Sequence, residues 1–190
     1  MIEKNKKIYE IIGEALADGI LQMCSSKEMQ KLKKDFGFKQ EDKDFEREYF
    51  YLMMFLSTLA CQMVFIENRR LANQILDTFH EYIMKKRFNL PTDILQAQTA
   101  EVQLRNRYEQ YWKLLKTKRS DFDLDFFTQQ VKYDFLANVL GKDLNYIFND
   151  KKCRQRYGKV TVLFGLYVGE VLRELTNRLT KVIEKYIKTP

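Results

Sequence analysis

Residues 150–159 read DKKCRQRYGK, and Lys151, Lys152, Arg154, Arg156 and Lys159 place five cations within nine positions. The chemistry open to such a stretch is electrostatic. Ammonium and guanidinium groups hold phosphate or carboxylate oxygens, and an aromatic neighbour such as Tyr157 can stack on a base. The stretch falls just before, or within the first turns of, the final helix. Cations at a helix start oppose its dipole, so they do not help that helix form. An anion bound there would meet free N–H groups and positive side chains together. A solvated basic loop is the competing reading. A second group, Lys113, Lys116, Lys118 and Arg119, ends an earlier helix, where cations suit the dipole without a ligand.

A weaker pattern lies inside the run YFYLMMFLSTLACQMVFI, residues 49–66, which carries no charge. Ser57, Thr58, Cys61 and Gln62 recur at i, i+1, i+4 and i+5, one polar stripe on an otherwise apolar helix. With Glu101, which falls among Ala97, Ala100, Leu104 and Tyr108, the stripe is a candidate wall of a pocket for an apolar small molecule. The alternative is a buried Gln satisfied within the core and a Glu at the solvent edge. Eighteen residues of helix span roughly 27 Å, barely a bilayer core. The polar stripe, and cations on both flanks (Arg47, then Arg69 and Arg70), favour a core helix over a membrane span.

Other chemistry is poorly supported. There is one histidine, His80; Asp77-x-x-His80 has the spacing of a helical metal pair, but a di-iron site needs two such histidines. Asp121, Asp123 and Asp125 resemble a calcium loop until Phe126 and Lys132 occupy the positions that require Gly and Glu. No glycine-rich phosphate loop, HExxH motif or cysteine cluster is present, and no cofactor is implied. These residues point to a protein that binds rather than catalyses.

The elements that must position these groups are helices. Two prolines and seven glycines among 190 residues leave few tight turns. Residues 8–23 carry an amphipathic stripe, Ser25 and Glu28 form a capping box for a second helix, and Gly37 stops it. Asp42 and Asp44 are candidate caps for the long segment 44–88, with a break expected near Glu67–Asn73. Asn89 and Pro91 end it, and Thr92 caps a helix over 92–118. Ser120 and Asp123 cap the next, which meets Gly141; DLNYIF reads as a turn, and the last helix runs to about Lys188. The fold class is all-α: a single-domain bundle of six or seven helices around a central, nearly all-apolar helix, with 1–40 as an N-terminal helical pair and 44–190 as the main bundle.

The last helix carries an a/d-type seam: Gly165, Val168, Gly169, Leu172, Leu175 and Leu179 are its candidates for self-association. Packing of that seam within the monomer, against the low surface of Gly13, Ala17 and Gly19, is the alternative. With 45% hydrophobic residues, a formal net charge of +7 and three cysteines outside any CxxC pair, the chain reads as a basic cytoplasmic protein with reduced thiols. Acidic residues interrupt the apolar part of its N-terminus, a poor signal peptide. The leading expectation is a protein-interaction or regulatory module whose partner is another protein or a second copy. Nucleic-acid binding at residues 151–159 is the second, and an apolar small molecule held between helices the third.

Overall fold

A computed structural model describes residues 7–39, 42–88, 94–115 and 124–186. The described residues form eight helices and no strand, the all-α bundle expected. In chain order these are α1 (Ile8–Cys24), α2 (Lys27–Asp35), α3 (Lys43–Val64), α4 (Arg69–Phe88), α5 (Ile94–Leu115), α6 (Leu124–Leu140), α7 (Leu144–Asn149) and α8 (Lys151–Tyr186). The helix beyond the expected six or seven is α7. Its segment was expected as a turn, but Asp143 caps it by accepting from Tyr146 N–H at 2.7 Å. The stretch 151–159 is entirely helical, forming the first turns of α8.

Local punctuation explains most helix ends. The α2 cap is Ser26 rather than Ser25: its hydroxyl accepts from Met29 N–H at 3.1 Å. Gly37 (φ 74°) and Gly141 (φ 61°) follow α2 and α6 in the left-handed region, where a side chain is disfavoured. Asp42 Oδ1 accepts from Asp44 and Phe45 N–H and so starts α3. The break expected near Glu67–Asn73 falls earlier, at Phe65–Asn68, and the Asn68 side chain caps α4 through Leu71 N–H at 3.1 Å. Pro91, Thr92, the Ser120–Asp123 box and the cations Lys116, Lys118 and Arg119 lie outside the described residues.

The chain divides into two compact units, each built from separate stretches. The first comprises Met1–Met23, Met54–Gln103 and Leu172–Pro190; the second comprises Cys24–Met53 and Leu104–Val171. In the first unit, Ile12, Ala17 and Ile20 of α1 and Ile75, Phe79 and Ile83 of α4 are buried, as are Met54 to Cys61 of α3. Gly13 allows α1 and α4 to touch: a Cβ there would lie 2.7 Å from the Ile75 carbonyl oxygen and 2.8 Å from Thr78 Cβ. In the second unit an aromatic cluster forms the core. Phe45 of α3 meets Phe135 of α6 edge-on at 5.3 Å, and Phe36 meets Phe164 of α8 edge-on at 5.4 Å. Such edge contacts suit the ring quadrupoles.

The uncharged run is core as far as Cys61, with every residue from Tyr49 buried. Gln62 and Ile66, at and beyond the last turn of α3, are exposed. Among the described residues no helix is long and apolar enough to cross a membrane. Leu56→Ala should cost about 2–5 kcal/mol in urea unfolding through the cavity it leaves. Ile66→Ala, at a residue 57% exposed, should cost under about 0.5 kcal/mol. Equal costs at the two positions would contradict this burial pattern.

Candidate functional site

The second unit brings two basic segments together that are more than a hundred residues apart in sequence. The link is made at the turn after α2. Arg156 Nη2 donates to the Gly37 carbonyl at 3.4 Å, and the Phe38 ring lies parallel to Tyr157, 6.0 Å between centroids and 14° apart. Phe38 is itself set by Phe36 and Phe45, at 6.2 and 5.5 Å, so the aromatic core positions the contact. On one side Lys151, Lys152, Arg154, Arg156 and Lys159 are all exposed on the opening turns of α8. On the other, Lys27, Lys31 and Lys34 are exposed at i, i+4 and i+7, one face of α2. A groove of ≈ 340 Å³ is lined by Gln30, Lys33, Lys34 and Phe38. Lys33 lies buried beneath this surface and is paired with Glu46 at 2.8 Å.

Two details of the expected anion site change. Tyr157 is buried, with Phe38 along its ring and the Arg156 guanidinium 5.2 Å from its centroid, so it is not an open platform for a base. Burial pushes its phenol pKa up, against the opposing pull of Arg156. The helix start is also occupied. The Asp150 carboxylate accepts from Cys153 N–H at 2.6 Å, so an anion would be held by side chains, not by that backbone donor. The contribution of α2 has no local signal: its lysines are visibly spaced along one face, but nothing in the sequence pairs residues 37 and 156.

The pocket-wall reading is corrected by the placement of its residues. Ser57, Thr58 and Cys61 are buried, whereas Gln62 and Glu101 are exposed. Thr58 Oγ1 donates to the Met54 carbonyl at 3.1 Å, and Cys61 lies against the Ala72 carbonyl, its thiol pKa pushed up to about 12 by burial. Ser57 Oγ has no hydrogen-bond partner among the described residues, a cost borne within the core. Ser57, Thr58 and Cys61 therefore pack in the core, and Gln62 and Glu101 are not buried with them.

The self-association seam is corrected as well. Gly165, Val168, Leu172, Leu175 and Leu179 are buried and Gly169 is partly so; the seam turns inward. Gly165 packs on α6: a Cβ there would lie 2.9 Å from the Thr128 carbonyl oxygen. The outward strip of α8 is instead Val162, Leu163 and Leu166, exposed by 52%, 60% and 62%. His80 is half-buried on α4, with Nδ1 2.8 Å from the Leu76 carbonyl and its pKa lowered by burial.

One polar network was not anticipated. Glu48 of α3 has no solvent exposure; Arg107 of α5 grips it twice, Nε at 2.6 Å and Nη2 at 3.0 Å, and Arg47 lies 3.4 Å away. Burial works against the Arg107 charge, but the Glu48 contact outweighs it and raises its pKa. Close by, Gln110 donates to the buried Asp134 of α6 at 2.5 Å and accepts from Asn138 at 3.1 Å. Burial raises the Asp134 pKa, opposed by the Gln110 hydrogen bond and the Arg107 charge.

No family model matches the chain, and neither a curated protein nor a solved structure is significantly similar to it. Its own geometry therefore carries the functional argument.

Asp134 supplies a pH test of the network. Its folded-state pKa lies above the unfolded value, so its favourable contribution is complete only below the unfolded pKa. That contribution is lost as the pH rises through the folded value. Asp134→Asn keeps an acceptor for Gln110 and removes the charge. Urea unfolding from about pH 3.5 to about pH 7 should find the variant more stable than wild type at neutral pH, with the gap closing towards acid. A variant less stable than wild type at neutral pH would contradict a net cost of ionising Asp134.

Proposed function

We propose that this chain is a non-enzymatic helical binding module whose ligand is nucleic acid, held through its phosphate backbone by the basic surface of α2 and α8. The observation that supports this most directly is the pair of contacts, Arg156 to Gly37 and Phe38 on Tyr157, that brings the two cationic segments side by side. The α8 cations oppose that helix's dipole, so their placement is not accounted for by helix stability. A formal net charge of +7 adds long-range attraction for a polyanion. With Tyr157 covered, recognition is of phosphates and carries little sequence preference. A cytoplasmic setting belongs to the same reading, supported by Cys24, Cys61 and Cys153, which form no disulfide among the described residues.

Fluorescence anisotropy with a labelled single-stranded oligonucleotide tests it. Wild type should bind at low salt, with affinity falling linearly on a log–log plot against salt concentration. Lys34→Ala, and separately Lys152→Ala with Arg154→Ala, should each weaken binding to unrelated sequences alike. The salt slope should fall by about one for each phosphate contact removed. Absence of binding at low salt, or variants that bind as wild type does, would refute the proposal.

A further inference from the structure

The outward strip of α8 points to a partner that the basic surface does not explain. At 100° per residue, Lys159, Val162, Leu163, Leu166 and Glu170 fall within roughly 100° of the helix circumference. All five belong to the second unit and are exposed, whereas Thr161, Phe164, Gly165 and Val168 between them are buried. The apolar trio is thus a short patch with a cation at one end and an anion at the other. Lys159 precedes Leu163 by one helical turn, and Glu170 follows Leu166 by one turn.

This arrangement is complementary to itself. A two-fold axis crossing α8 between Leu163 and Leu166 would set a second α8 antiparallel to the first. Leu163 of each copy would then meet Leu166 of the other, and Lys159 would face Glu170 at both ends. A C2 interface requires this self-matching of one patch. A polyanion fits less well, because Glu170 would repel it and the three apolar side chains offer it nothing. We propose that Val162, Leu163 and Leu166, flanked by Lys159 and Glu170, form an antiparallel homodimer interface with α8 of a second copy. Lys159 belongs to both this patch and the basic surface, so the dimer is tested in the absence of nucleic acid.

The face is small. Residues 159–170 cover roughly 17 Å of helix, which is modest beside the ~1,200–2,000 Å² of a stable complex. The dimer should therefore be weak and dissociate at micromolar or higher concentration. The two-fold axis makes two Lys159–Glu170 contacts in the dimer, so a single charge reversal turns two attractions into two repulsions.

Sedimentation of the full chain, freed of nucleic acid, over about 1 μM to about 1 mM tests the proposal. Wild type should pass from monomer to dimer across that range. Leu163→Glu with Leu166→Glu should remain monomeric, and Leu163→Ala with Leu166→Ala should do the same without introducing charge. Lys159→Glu or Glu170→Lys alone should weaken the dimer about tenfold. Lys159→Glu combined with Glu170→Lys should restore it, which a non-specific apolar contact would not do. Circular dichroism confirms folding of each variant, as the substituted side chains are exposed. A wild type monomeric throughout would overturn the proposal. So would a dimer indifferent to the leucine variants, or one that the double reversal fails to restore.

Discussion

A carboxylate wholly removed from water must be matched, and Glu48 is matched by Arg107. Taking Arg107 away would leave a buried charge on Glu48, a change that costs on the order of 3–5 kcal/mol. The pair ties α3 to α5 at fixed register, because the guanidinium meets the carboxylate with two nitrogens at 2.6 and 3.0 Å. Gln110, one turn beyond Arg107 on α5, carries the polar connection on to Asp134 of α6. With α3, α5 and α6 held this way, Phe45 of α3 is fixed against Phe135 of α6, and Phe36 and Phe38 pack on Phe45. Phe38 in turn sets Tyr157, and the basic start of α8 lies next to the end of α2. The basic surface of α2 and α8 thus depends on a contact buried elsewhere in the same unit.

The helices themselves were legible because their signals are local. Asp42, Gly37 and Gly141 act within a turn of where they sit, and the uncharged run of α3 has the composition of a buried helix. The missed α7 is a short helix whose cap, Asp143, was present in the sequence but whose six residues show no amphipathic period. Misplacing the second cap by one residue reflects two adjacent serines with equal capacity to accept. Gln62 was read as buried because it shares a stripe with Ser57 and Cys61; α3 ends two residues later, and the stripe runs out to the surface there.

The site was legible only in part because its assembly is non-local. The cations of 151–159 are conspicuous, but their partnership with α2 rests on a contact between residues 37 and 156. Glu48, Arg107 and Asp134 each look like ordinary surface residues until α3, α5 and α6 meet. On α8 the glycine-bearing seam and the strip of Val162, Leu163 and Leu166 are both apolar, and periodicity alone does not say which faces inward. The glycine-bearing strip does, since Gly165 lets α8 approach the Thr128 carbonyl closely. The strip left outside is the one with a lysine and a glutamate at its ends, a pairing that suits a second copy.

The central claim is that α2 and the start of α8 act as one surface. Hydrogen exchange of the full chain, with and without a saturating single-stranded oligonucleotide, tests it most directly. The account predicts that binding slows exchange in residues 31–39 and 151–159 together, with the same dependence on oligonucleotide concentration. Slowing confined to 151–159, or confined to regions away from both segments, would contradict it.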